Sequence, residues 1–284
     1  MITVRLQGGM GNQMFQYALG RVLSLKYSTP LVLDTDLLGV RLYKGFTVRE
    51  YELDLFDITA RLLPRHSSWI AKWCYFIRKF FEKVYHHKGV EKGFAFDPSV
   101  LELPDGVTLD GYWQSYKYFE HIADIIKKDF TLRKPLPSHI QKLREKIQSE
   151  HSVCLHVRRG DYIGNPLHDT TTMEYYRQAI VVLVEKVDIE HIYVFSDDIA
   201  WCREHLTFSY PVTFVGEEYS GERASGHFSL MRACAHFIIA NSTFSWWTAW
   251  LGERAEKIVI APKQWFGDKS IDTTDLIPGE WIRV

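Results

Sequence analysis

The stretch ITVRLQGGMGNQMFQYALGRVLSLKYSTPLVL, residues 2–33, sets the fold class. Ile2 to Leu6 suit a short buried strand, and Gly8, Gly9 and Gly11 break it. From Asn12 onward Met14, Phe15, Ala18, Leu19, Val22 and Leu25 recur every three or four residues, which marks one apolar helical face. Pro30 to Leu33 reads as a second strand. Strand, turn, helix, strand is a βαβ unit, and it predicts a parallel sheet. A glycine-rich turn entering a helix also offers free backbone N–H groups and a helix dipole to an anion. Its spacing matches neither GxGxxG nor the P-loop pattern, and three glycines can equally serve a tight turn alone.

Working outward, the same alternation returns in the second half. Strands are expected at Ser152 to Val157, His191 to Phe195, Pro211 to Val215, Phe237 to Ala240 and Lys257 to Ile260. The intervening helices are expected at Thr172 to Val184, Ile199 to His205, His227 to Ala235 and near Ser245 to Leu251. Between the halves, TLRKPLPSHIQKLREKIQSE, residues 131–150, carries two prolines and a polar helical pattern, so the domain boundary is placed there. The expected organisation is an α/β domain over residues 1–140 and a second over 141–284, with ligands at the carboxyl ends of the strands.

With 34 Lys and Arg against 35 Asp and Glu in 284 residues, the net charge is -1, which excludes a broadly cationic nucleic-acid-binding surface. Any anion site must be local. Cys74, Cys154, Cys202 and Cys234 are far apart without CxxC pairing, which reads as buried free thiols in a reducing compartment rather than a zinc site. The N-terminus lacks a secretory signal pattern, and no run reaches the roughly 18 apolar residues of a membrane span. From Trp69 to Tyr85 an apolar stripe faces Lys72, Arg78, Lys79 and Lys83; it suits either packing on its own domain or contact with anionic lipid.

Three segments carry candidate chemistry. In LHVRRGDY, residues 155–162, alternation puts His156 and Arg158 on one face of a strand, and Arg159, Gly160 and Asp161 form the turn after it. Adjacent arginines beside a glycine suit a diphosphate, although an exposed turn with Asp161 pairing an arginine is the simpler alternative. YVFSDD ends in Asp197 and Asp198, which suit a ribose or a purine edge, or equally a helix cap. HFIIANSTFSWWTAWLG, residues 236–252, places Asn241, Ser242, Thr243 and Ser245 at a helix start, while its tryptophans read as packing. Asp34 and Asp36 form an Asp-x-Asp triplet, but one triplet is common by chance and Asp36 can cap a helix, so no metal site is assigned.

Together, LQGGMGNQMFQYALGR, LHVRRGDY and HFIIANSTFSWWTAWLG resemble the bacterial α-1,2-fucosyltransferases, the inverting glycosyltransferase family 11, in pattern and order from Val4 to about Trp265. The resemblance implies a GT-B-like fold, two Rossmann-like domains facing a central cleft. It implies GDP-β-L-fucose as donor and transfer to the 2-hydroxyl of a terminal galactose, with no cofactor and no divalent metal. Arg158 would hold the β-phosphate, Arg159 would support the loop or the nucleotide, and Asp197 would contact guanine or ribose. Ser242, Thr243 and Ser245, beside Asn241, would line the diphosphate, while Gly9, Gly11, Asn12 and Gln13 would close the site from the acceptor-side domain. The general base stays open among Asp161, His156 and an acidic residue of the first domain. The implied partners are GDP-fucose and a galactose-terminated oligosaccharide or lipid-linked glycan, with no nucleic acid, in a bacterial cytoplasm and with a peripheral inner-membrane contact as one option. A transferase of different linkage and a non-catalytic nucleotide or glycan module are the competing readings; a glycosidase lacks an evident carboxylate pair.

Overall fold

A computed structural model of the chain describes residues 1–40, 48–64, 70, 73, 76, 77 and 89–284. The basic stripe from Trp69 to Tyr85, with Cys74 inside it, lies outside the described residues except for Ile70, Trp73, Phe76 and Ile77. Among the described residues no helix is long and apolar enough to cross a membrane.

The chain divides into two units, Met1–Arg133 with Asp272–Leu276, and Lys134–Ile271 with Ile277–Val284. In the first, β1 (Ile2–Arg5) leads through the glycine-rich turn into α1 (Met10–Tyr27), then β2 (Leu31–Asp34), β3 (Arg61–Leu62) and β4 (Thr108–Leu109), followed by α2 (Ala123–Asp129). The sheet order is β3-β2-β1-β4, all parallel. Gly8 takes φ +77, and a Cβ there would lie 2.3 Å from Asn12 Nδ2, so the turn requires a glycine at that position. Helix α1 is buried more widely than one apolar face: Met10, Gln13, Gln16, Tyr17 and Leu23 are enclosed as well. The reason is that other parts of the unit close over it. Tyr17 Oη donates to Asp129 Oδ2 at 2.7 Å, Arg21 Nε pairs with the same oxygen at 2.9 Å, and Phe15 meets Phe119 at 6.0 Å. The segment 272–276 belongs to this unit through Asp275, which pairs with Lys117 at 2.5 Å and accepts from Phe96 N–H at 3.0 Å.

In the second unit α3 (Ser138–Ser149) precedes β5 (Ser152–Val157), α4 (Met173–Val184), β6 (His191–Ser196), α5 (Ile199–His205), β7 (Val212–Phe214), α6 (Ser225–Ala233), β8 (His236–Ile238), α7 (Thr243–Trp250), β9 (Val259–Ala261) and β10 (Ile282–Arg283). The order is β10-β9-β8-β5-β6-β7, again parallel throughout. Counted from β5, this is the doubly wound order 3-2-1-4-5-6, whose direction reverses between β5 and β8. Val153, Leu155, Val157, Ile192, Val194 and Ile238 pack with Tyr176, Ala179 and Leu183 of α4 in one core, each large side chain contributing roughly 1.5–3 kcal/mol on burial. Trp246 and Trp247 are fully buried, as are the free thiols of Cys154, Cys202 and Cys234.

Candidate active site

At the reversal point of the second sheet, β5 ends in the segment that carries Arg158. Its Nη2 donates to Asp161 Oδ1 at 2.6 Å, and its Nη1 lies 3.3 Å from Asp197 Oδ2 at the end of β6. The guanidinium carbon stands 5.3 Å from the Tyr162 ring centroid, and the buried Nε has no hydrogen-bond partner. Burial alone would weaken this base, but the carboxylates of Asp197 and Asp161 reverse the effect and hold the charge on. Gly160 makes the bracket possible, since a Cβ there would lie 2.5 Å from Asp197 Oδ2.

Arg159 turns the other way. Its guanidinium lies 3.6 Å from the centroid of Trp201 on α5, and its Nε pairs at 3.1 Å with Asp198. Its backbone N–H donates to Asp197 Oδ1 at 2.9 Å, which fixes the loop to the tip of β6. Asp198 in turn caps α5 by accepting from Trp201 N–H at 3.2 Å. Of the two carboxylates, Asp198 is the helix cap and Asp197 the neighbour of Arg158.

His156, two residues before Arg158, is buried, and its Nδ1 has no partner. Burial first, then the charge of Arg158 and the nearness of His227, push its pKa down to about 3. It is a neutral imidazole at working pH, and so low a pKa gives a weak driving force for taking a hydroxyl proton.

Beyond β8, Asn241 Nδ2 donates at 2.9 Å to the carbonyls of both His168 and Trp265, leaving Oδ1 buried and unpartnered. Ser242 caps α7 by position, without a side-chain cap bond, so the first N–H groups of the helix are not closed by it. Thr243 opens the helix, whereas the Ser245 hydroxyl bonds inward to the carbonyls of Ala240 and Ser242 at 3.4 and 3.1 Å. His156 Nδ1, Arg158 Nε and Asn241 Oδ1 are each buried without a hydrogen-bond partner, on segments that follow or end the two strands flanking the reversal point.

In the first unit the reversal falls between β1 and β4. Gly9 caps α1 and Gly11 lies buried in its first turn. The Gln13 amide is fully engaged, donating to the carbonyls of Gly8 and Glu50 at 2.9 and 2.8 Å and accepting from Glu52 N–H at 3.0 Å, so it braces the turn. Asn12 Oδ1 accepts from Gln114 Nε2 at 2.9 Å. The residues after β4 had no signal in the sequence. Trp113 has φ 56, unusual for a bulky residue, and Glu91 clamps this turn by accepting from the N–H groups of Tyr112 and Trp113, both at 2.7 Å. Burial pushes the Glu91 pKa up to about 7 despite those two bonds. Asp34 is tied to Arg5 at 3.4 Å and accepts from Asp36 N–H at 3.0 Å.

Two parallel α/β units, each with polar side chains at its sheet's reversal point, form an α/β architecture of GT-B-like fold. The fold is shared with the crystal structure of the selenomethionine fucosyltransferase NodZ from Bradyrhizobium, at a TM-score of 0.51 and 13% identity over 95% of each chain. The chain belongs to glycosyltransferase family 11, whose model matches residues 1–284. It is 30% identical over 294 residues to the alpha-1,2-colitosyltransferase of Escherichia coli, covering 100% of this chain and 99% of that one. It is 25% identical over 302 residues to the galactoside 2-alpha-L-fucosyltransferase of Caenorhabditis elegans, covering 100% and 79% respectively.

Proposed function

We propose that the protein is an inverting galactoside α-1,2-fucosyltransferase that moves L-fucose from GDP-β-L-fucose to the 2-hydroxyl of a terminal galactose, without a divalent metal. The observation that carries this is Arg158, charged, bracketed by two carboxylates and still holding an unpartnered Nε at the reversal point of the second sheet. As the anomeric C–O bond lengthens, negative charge grows on the departing GDP. A fixed guanidinium stabilises that charge more in the transition state than in the ground state. The open N–H groups of α7 supply further donors. Asp197, at the end of the second strand of the doubly wound order, stands where acidic side chains bind a ribose. The names of both relatives carry a 1,2 or 2-linked transfer, which supports the linkage.

The colitosyltransferase relative favours one second reading, a GDP-colitose donor, which is the same sugar less its 3-hydroxyl. Transfer to lactose and N-acetyllactosamine is to be measured with each donor in excess EDTA, with product linkage determined by NMR. Faster turnover of GDP-fucose to an α-1,2 product is expected. A strong preference for GDP-colitose would replace the donor, and a different linkage or a metal requirement would contradict the proposal.

A further inference from the structure

The segment from β5 to α4 is a loop tied at both ends, and it carries His168. The N–H groups of Tyr162 and Ile163 donate to the Arg159 carbonyl at 2.8 and 2.9 Å, and Gly164 N–H donates to Asp169 Oδ2 at 3.0 Å. Its far end is anchored: Asn241 Nδ2 holds the His168 carbonyl at 2.9 Å, and Gly267 N–H holds the Leu167 carbonyl at 2.8 Å.

Within this frame the His168 ring stacks on Tyr162, with centroids 4.8 Å apart and planes at 21°, and Phe266 stands 5.8 Å away. Tyr162 is the ring that Arg158 lies against. His168 is therefore held by its faces, one aromatic ring away from the residue placed to neutralise the leaving group. Its Nδ1 is buried without a hydrogen-bond partner, and the residue as a whole is only half-buried. Leaving a buried polar atom unmatched costs stability, which stacking alone does not require of a histidine.

Two of the other candidates for the proton fare worse. His156 is too weak a base, and Asp161 is occupied by Arg158. Burial lowers the basicity of His168, as does Arg158, while Asp161 opposes them. Phe266, the other ring beside it, and Asn241, which holds its carbonyl, are uncharged. His168 is thus neutral near pH 7 and able to accept a proton.

We propose that His168 takes the proton from the acceptor hydroxyl, a role that rests on the transfer reaction proposed above. The acceptor oxygen bonds to the anomeric carbon as the bond from that carbon to the β-phosphate oxygen breaks. The leaving electron pair stays on GDP opposite Arg158, and the hydroxyl proton passes to His168 and then to solvent.

The test uses His168→Ala and His168→Gln with GDP-fucose and lactose. Turnover should fall by roughly 10²- to 10⁴-fold while GDP affinity and the circular-dichroism spectrum are unchanged. The wild-type rate should drop as pH falls below the ordinary histidine range, the residual rate of the Gln variant should lack that acid limb, and added imidazole should restore part of the rate of the Ala variant. Should either variant fail to fold, the other still reports, and a wild-type rate with no acid limb at or below the ordinary histidine range would by itself overturn the role. So would a folded variant that keeps more than about a tenth of the turnover, or one that keeps the acid limb. Absence of transfer from GDP-fucose by the wild-type chain would overturn the parent reaction and His168's role with it, whereas an active wild type with an active His168→Ala overturns only the latter.

Discussion

Arg158 Nη2 and Asp161 Oδ1 stand 2.6 Å apart across a three-residue step of the same loop, with Asp197 Oδ2 at 3.3 Å on the other side of the guanidinium. In the proposed reaction a dianionic diphosphate arriving at Arg158 would compete with a carboxylate already there. Asp161→Asn is expected to leave GDP affinity equal or tighter, because the competing charge is gone. Turnover should fall by about tenfold through loss of a charge-assisted bond that orients the guanidinium. Calorimetric GDP titration beside steady-state rates checks both; a tenfold loss of GDP affinity would contradict this arrangement.

Gly160 has an ordinary backbone conformation, yet its missing side chain leaves the room that Asp197 occupies. Gly160→Ala should preserve the melting temperature while separating Asp197 from Arg158. GDP affinity should weaken on the order of tenfold in a calorimetric titration, through loss of the charged hydrogen bond proposed between Asp197 and the nucleotide; an unchanged affinity would contradict that contact.

Asp198 serves the helix rather than the ligand. Asp198→Ala removes the α5 cap and the partner of Arg159, at a cost of about 1 kcal/mol for the cap. Melting should shift down by roughly 2–4 °C with GDP affinity little changed, as scanning calorimetry can show.

Glu91 makes stability depend on pH. Its folded pKa, about 7, lies above the ordinary glutamate value of 4.5, so between these values the folded chain keeps a proton that the unfolded chain has released. Stability therefore falls as pH rises across that window. The difference in melting temperature between the wild type and Glu91→Gln should move against the wild type from pH 5 to pH 8; a difference that is constant with pH would contradict a raised Glu91.

What the sequence disclosed, and what it hid, follows from range. Alternation along Ser152 to Val157 exposes β5, and with it Arg158 at a strand tip; the spacing from Met14 to Val22 exposes α1 in the same way. Strands β3, β4 and β10 have two residues each and are too short to show any period. The stacking of Arg159 on Trp201, the left-handed Trp113 clamped by Glu91, the return of Asp275 to the first unit and the Tyr162–His168 stack each join residues whose adjacency only the folded chain creates. Gly160 was visible as a glycine, but the side chain it makes room for was not.

The most direct measurement is the turnover of Arg158→Ala with GDP-fucose and lactose, alongside its melting curve. Loss of a preorganised donor to the leaving group predicts a fall of at least about 10²- to 10³-fold in a chain that still folds. A folded variant that keeps more than about a tenth of the wild-type turnover would contradict the claim that Arg158 neutralises the departing diphosphate.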